Sequence, residues 1–106
     1  MLPLALFVSL ALAGDPTALR VEAEAVTLAR TSEYAAGAAS AEDVYRWSVR
    51  WLDAERRSPA ALAAHLARML ALAELARTRV QTGVARAVEG HEAAWYVAEA
   101  RIWTAG

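Results

Sequence analysis

The sequence predicts an all-α protein of four helices, arranged as two helical hairpins or as an up-down antiparallel bundle. Three observations lead to this fold class. The chain after residue 13 is rich in Ala, Leu, Arg and Glu, which favour helices, and poor in Ile and Thr, which favour strands. Helix start and stop signals recur along it. Between those signals, apolar residues recur at steps of three and four, as in helices packed side by side.

The first helix is bounded by a capping residue and a glycine. Asp15 and Pro16 form an N-cap and first-turn pair that opens it. Gly37 ends it, because glycine tolerates the left-handed backbone found after helix C-termini. The helix is therefore expected to reach about residue 36. Two of its faces are candidates for burial, one with Ala18, Val21, Ala25 and Leu28 and the other with Leu19, Ala23 and Val26.

The second helix starts at a capping box. Ser40 supplies the N-cap hydroxyl, and Asp43 stands three residues later, where Glu is usual. The helix is expected to run to about Arg57. Its predicted buried face consists of Val44, Trp47, Trp51 and Ala54.

The third and fourth helices follow the same punctuation. Ser58 and Pro59 open the third, expected to end near residue 82 before Gly83, and the fourth is expected over about 86–103. The predicted buried faces are Leu62, Leu66, Met69, Ala73, Ala76 and Val80 in the third helix, and Val84, Val88, His91, Trp95, Ala98 and Ile102 in the fourth.

The first thirteen residues, MLPLALFVSLALA, predict a signal peptide cleaved after Ala13. The apolar run ends in Ala11-Leu12-Ala13, an A-x-A cleavage signature. It is shorter than the roughly 20 residues of a transmembrane helix. No Lys or Arg precedes it, so an uncleaved anchor or a buried first helix is the alternative reading. The mature chain, 14–106, is expected to be secreted or periplasmic and to contain no membrane span.

Composition argues against several function classes. Eleven basic residues against twelve acidic ones leave a net charge of −1, which is not the electrostatic footprint of a nucleic-acid-binding protein. Without Cys the chain has no disulfide, thiolate nucleophile or thiolate metal ligand. No phosphate loop, HExxH motif or Ser/His/Asp constellation is present. We therefore expect neither an enzyme nor a cofactor.

An internal repeat divides the mature chain. The tetrapeptide LART at 28–31 recurs at 75–78, and the glycine-to-acid step from Gly37 to Asp43 recurs from Gly83 to Glu89. The repeat predicts a single domain of two approximate units, about 16–57 and 59–104.

The first unit also resembles a known family. The pattern Tyr34-x-x-Gly37, then Ser40, then Asp43-Val44, then LDAE at 52–55 resembles the helix-hairpin tip of TolC-type outer-membrane efflux proteins. In that family the tips line the periplasmic aperture, dock against an adaptor and contribute acids to the gate. The resemblance implies an efflux-associated envelope protein, with a partner-binding surface formed by Gly37, Ser40, Asp43, Gly83 and Glu89.

This chain departs from the family in two respects. The second copy has Val80 where the first has tyrosine, and Gly90 where the family has an apolar residue. The family's transmembrane β-strands have no counterpart here, so a relative would be a miniature of its helical hairpins. Such a protein would act by packing against copies of itself or against an envelope partner.

An alternative function is a periplasmic copper- or nickel-responsive module. His65 and Met69 lie four residues apart, on one helical face, and imidazole with thioether suits copper. Two ligands do not complete a site, so packing beside Trp51 and Trp47 is the expectation for this pair. Three further aromatic residues fall off the predicted buried faces and are candidates for an exposed interface: Tyr45, Tyr96 and Trp103.

Overall fold

The structure is a computed structural model that describes residues 15–106. It confirms the predicted all-α class. The elements are α1 (Pro16–Ala35), α2 (Ala41–Ala54), α3 (Pro59–Gln81) and α4 (Ala87–Ala105), and no strand occurs within 15–106. The signal peptide expected at 1–13 lies outside the described residues.

The four helices form two antiparallel hairpins. α1 packs on α2, α3 packs on α4, and α2 joins the hairpins by contacting α3 and, less extensively, α4. The turns at 36–40 and 82–86 lie at one end of the molecule, where Gly37 approaches the guanidinium of Arg79. The α2–α3 turn lies at the opposite end. The helix interiors carry no proline, and each hairpin turn begins at a glycine in the left-handed region, as the sequence predicts.

The core is thin because alanine supplies much of it. Its largest apolar members with less than 3% exposure are Tyr34, Leu52, Met69, Leu72 and Val44, and Tyr96 and Val97 are nearly as deeply buried. The rest of the buried apolar set consists chiefly of alanines from all four helices, namely Ala23, Ala41, Ala61, Ala76, Ala93 and Ala100. Small residues let the helices approach closely. Because each alanine side chain buries little area, the few large side chains contribute most of the buried apolar area.

α2 ends three residues earlier than the sequence predicts. Arg56 and Arg57 both have positive φ, 58° and 49°, so the chain leaves the helix at Ala54. The Arg57 N–H donates to the Leu52 carbonyl at 3.0 Å, which closes the turn as a glycine-terminated helix would close. No glycine marks this turn, and the sequence therefore gives no signal for it.

The predicted buried faces of α2, α3 and α4 are wrong in large part. In α2 the buried set is Ala41, Val44, Ser48 and Leu52, with Trp47 and Trp51 only half-buried. In α3 it is Ala61, His65, Met69, Leu72 and Ala76, so that two of the six predicted positions are fully buried. In α1 the structure favours the face that contains Ala23 and Val26.

The correction is largest in α4. Its buried residues are Ala93, Tyr96, Val97 and Ala100, whereas the face predicted to be buried is exposed. An Ala-rich helix has apolar residues on every side, so a three-four alternation can be traced on more than one face. Tyr96, and not the larger Trp95, faces the core.

α3 is long and apolar enough to cross a membrane by length and composition, and it is the one helix of residues 15–106 that meets this test. In the fold it contacts both α2 and α4, as a core helix of a bundle does. The absence of a membrane span stays a prediction.

Candidate functional site

The two hairpin turns share one backbone structure, 46 residues apart. Gly37 and Gly83 adopt φ of 82° and 80°. In both turns the glycine N–H donates to the carbonyl three residues earlier, at 3.0 and 3.1 Å, and the next N–H donates to the carbonyl five residues earlier, at 2.7 and 3.0 Å. This is the Schellman motif that closes a helix C-terminus. We call residues 36–40 the first tip and residues 82–86 the second tip.

The first tip continues into the capping box that the sequence predicts. The Asp43 N–H donates to Ser40 Oγ at 3.1 Å, and the Ser40 N–H donates to Asp43 Oδ2 at 3.2 Å. These bonds, first the backbone one from Ser40, lower the pKa of the Asp43 carboxyl. Asp43 is therefore occupied with capping its own helix.

The second tip has no such cap. Arg86 stands at the N-cap and makes no side-chain capping bond, since a guanidinium has no acceptor. Glu89, the acid that corresponds to Asp43, instead accepts hydrogen bonds from Tyr34 Oη and, at 3.2 Å, from Arg79 Nε. Arg79 also lies over the Tyr34 ring, 4.9 Å from its centroid. Burial, and then the bond to Glu89, raise the pKa of Tyr34, which keeps the phenol protonated.

The Tyr34–Glu89–Arg79 group joins the two tips. Tyr34 belongs to α1, Arg79 to α3 and Glu89 to α4, so one cluster connects the first hairpin to both helices of the second. A cleft of about 400 Å³ lies beside it, lined by the first tip, Arg79, Glu89 and Glu92. Of the five tip residues that the resemblance marks, Gly37, Ser40 and Gly83 are exposed, Asp43 is half-buried, and Glu89 points inward.

A second polar group lies in the middle of the bundle. Ser48 Oγ accepts a bond from Arg68 Nε at 2.7 Å and lies 2.8 Å from His65 Nδ1. Ser48 Oγ and His65 Nδ1 are hydrogen-bonded to each other, and the tautomer of the imidazole decides which of them donates. The other ring nitrogen, Nε2, is buried and has no partner among the described residues.

Two members of this group are closed to solvent. Ser48 and His65 are fully buried. Burial, and after it the charges of Arg68 and Arg57, lower the pKa of His65 to about 4. A hydroxyl bonded to a neutral imidazole has the chemistry of a nucleophile and its base. No substrate can reach this pair in the folded chain, so we assign it a packing role.

The metal hypothesis gains no support from this geometry. Met69 is fully buried in the core beside His65. Nowhere in residues 15–106 do three or more His, Asp or Glu side chains converge as a metal site would require. His91, the other imidazole, is exposed on α4.

The expectation of an exposed patch formed by Tyr45, Tyr96 and Trp103 is wrong. Tyr96 is buried, and the other two are half-buried. The Tyr45 and Tyr96 rings stack with centroids 4.1 Å apart, and Tyr45 Oη donates to Glu99 at 2.6 Å. Trp103 stacks on His65, with centroids 5.7 Å apart. These aromatics fill the space between α2, α3 and α4, where alanine leaves room for large rings.

Within residues 15–106, the outward face of α4 is an apolar surface without a partner helix. Four large apolar side chains there are exposed, namely Val84 (64%), Val88 (62%), Trp95 (57%) and Ile102 (72%). With His91 and Ala98 they recur at steps of 4-3-4-3-4, and Val84 lies in the turn just before the helix. We call these six residues the α4 stripe. The sequence identifies its spacing correctly but assigns it to the core.

Comparison with protein-family models, with characterised proteins and with solved structures finds no match for this chain. The TolC-like repeat therefore stays a prediction from residues 34–55 and 80–90.

Two features of the site had no sequence signal. The Ser48–His65–Arg68 group depends on which residues of α2 and α3 face each other, and polar residues on an Ala-rich helix are usually solvated. The Tyr34–Glu89 bond joins residues 55 positions apart. Tyr34 and Glu89 are each singled out by the resemblance, but nothing in their spacing indicates that they touch.

Proposed function

We propose that the chain is an exported, non-enzymatic helical-hairpin protein that works in the cell envelope by packing its helices against another helix. The observation that carries this proposal is the α4 stripe. A large exposed apolar patch on a folded protein commonly marks a surface that binds a partner. Within residues 15–106, α4 packs on α3 and α2 and touches α1 through Glu89, whereas the four large side chains of the stripe stay exposed. This outward face is therefore suited to a helix from outside the chain.

The size of the exposed surface supports the same reading. The four large side chains of the stripe expose roughly 450 Å² together, within the range of the largest single patch on a monomer, which is often functional. No Asp, Glu or Arg occurs among the six stripe positions. A surface without charge gains more from contact with an apolar helix than from water.

The TolC-like part of the proposal rests on the tips. Both tips point to one end, share one backbone turn and leave Gly37, Ser40 and Gly83 exposed. This arrangement suits a pair of hairpin ends presented to an envelope partner. The association with efflux comes from the resemblance at residues 34–55 alone.

The test is photo-crosslinking of the full chain in cells that export it. A photoreactive amino acid at Val88 is compared with one at Leu28, which lies on the outer face of α1 with 58% exposure and so serves as a matched control. We expect a crosslinked product in the envelope fraction from position 88 only, and a mature chain that begins at Gly14 by mass spectrometry. A folded protein retained in the cytoplasm, or no product from position 88, would contradict the proposal.

A further inference from the structure

The α4 stripe has an internal symmetry that bears on what covers it. Its step pattern, 4-3-4-3-4, reads the same in both directions. A second α4 related by a two-fold axis at the level of residue 93 would therefore meet every residue of the stripe with another stripe residue, and five of the six positions are apolar. Val88 would then face Ala98 of the other copy, His91 would face Trp95, and Val84 would lie level with Ile102.

We propose that the α4 stripe binds a second copy of this chain, with the two α4 helices antiparallel. This inference rests on the proposed function and names its partner. A two-fold contact of this kind uses the same patch on both copies and closes at two chains. It leaves the tips of the two copies pointing in opposite directions.

Side-chain volume favours the antiparallel arrangement over the parallel one. In the antiparallel pair each layer joins a larger residue with a smaller one, such as Val88 with Ala98 or Trp95 with His91. In a parallel pair every residue faces its own counterpart. Two Trp95 rings would then share one layer, which would be overpacked. Two Ala98 methyl groups would share the next layer, which would leave a cavity. Overpacking and cavities both destabilise an interface.

The area is close to the lower limit for a specific contact. Two copies that cover the four large side chains bury about 900 Å² in total, near the roughly 1,000 Å² that a biological interface should clear. Trp95 lies near the centre of the stripe, and tryptophan is among the residues most often found to dominate interface energies. Repulsion between like charges opposes the dimer. Glu92 and Glu99 border the same side of the stripe, so they approach the same residues of the other copy. At a solvated rim such charges are screened and weigh little.

The absence of cysteine makes the register directly testable. Val88→Cys and Ala98→Cys are prepared separately in the full chain and oxidised alone or as a mixture. In the antiparallel pair residue 88 of one copy lies about ten residues, or about 15 Å, from residue 88 of the other. That separation is far beyond the distance that a disulfide spans. We therefore expect no dimer from either variant alone and a disulfide-linked dimer from the mixture.

A second substitution tests whether the stripe carries the contact. Trp95→Glu, added to both cysteine variants, is expected to reduce the yield of linked dimer at least about tenfold, as the loss of an interface hot spot does. Leu28→Glu on α1 is the matched control and is expected to leave the yield unchanged. Both positions are exposed, at 57% and 58%, so both variants should fold, which circular dichroism checks.

The remaining outcomes overturn the inference. Linked dimers from Val88→Cys alone would show a parallel pair, and no linked dimer from the mixture would show that the stripe does not bind a second copy. If the mixture fails while position 88 still crosslinks to a different protein in cells, the proposed function stands and this inference does not. If position 88 crosslinks to nothing, both fail.

Discussion

The two hairpin tips use one backbone turn for different purposes. Gly37 and Gly83 have the same left-handed conformation and the same pair of closing hydrogen bonds. Six residues after each glycine stands an acid. Asp43 in the first tip caps its own helix through Ser40, whereas Glu89 in the second tip binds Tyr34 of the other hairpin.

The difference follows from one position. Ser40 offers a hydroxyl to the start of α2, but Arg86, 46 residues later, offers none to the start of α4. The acid of the second tip is therefore not engaged by a capping serine, and Tyr34 and Arg79 bind it. The first tip is stabilised locally and the second by contacts between hairpins. We infer that the joint between the hairpins uses the acid of the second tip and not the acid of the first.

The largest expected effect concerns Tyr34 and its counterpart Val80. Tyr34→Ala removes a fully buried ring and the bond to Glu89, so it should lower the free energy of unfolding by about 3–5 kcal/mol. Val80→Ala, at a half-buried position, should cost only about 1 kcal/mol. Urea unfolding followed by circular dichroism measures both.

Tyr34→Phe separates the contribution of the buried ring from that of the hydrogen bond to Glu89. It keeps the buried ring and removes only the hydroxyl, so we expect a loss of about 1–2 kcal/mol. Equal costs for Tyr34→Ala and Val80→Ala would show that the two tips are energetically alike and would contradict the difference described above.

Substitution of the two turn glycines should lower the free energy of unfolding by equal amounts. Gly37→Ala and Gly83→Ala each place a Cβ at positive φ, at a cost of about 1 kcal/mol. Neither new methyl meets an atom closer than 3.7 Å, so the cost comes from the backbone alone. Gly90→Ala in the interior of α4 is the control, and it should stabilise the fold by about 0.5–1 kcal/mol. Unequal losses at 37 and 83 would mean that the turns are not equivalent.

The smallest effect concerns the caps. Ser40→Ala should cost about 1 kcal/mol because the Asp43 N–H loses its acceptor, whereas Arg86→Ala should change little. Arg86→Ser should gain a few tenths of a kcal/mol by giving α4 a cap. Thermal unfolding resolves these differences when the three variants are measured together. A loss at Arg86→Ala as large as that at Ser40→Ala would show that the second tip has a cap of its own.

The helices of this fold were predictable because particular residue types mark where most of them begin and end. Asp15, Ser40 and Ser58 each accept an N-cap bond from the backbone, and Gly37 and Gly83 end helices where the sequence predicts. The end of α2 was not predictable, since Arg56 takes a left-handed conformation that glycine usually supplies. Local chemistry at that turn gives no signal; the rest of the fold determines it.

The buried faces were harder to predict than the helices. In α4 the predicted face and the buried face are both apolar, and only the identity of the neighbouring helix decides between Trp95 and Tyr96. Ser48, His65 and Arg68 are individually typical of a solvated surface, yet they lie inside the bundle because Ser48 forms hydrogen bonds with both of the others. Such pairing depends on how two helices face each other, and the spacing of residues along one helix does not predict it.

Sedimentation equilibrium of the full chain measures whether the outward face of α4 is a contact surface. We expect a mass that rises with concentration from one chain toward two, a single-chain mass for Trp95→Glu, and unchanged association for Leu28→Glu. A single-chain mass for the parent protein at every concentration would contradict association between copies, as would association that survives Trp95→Glu.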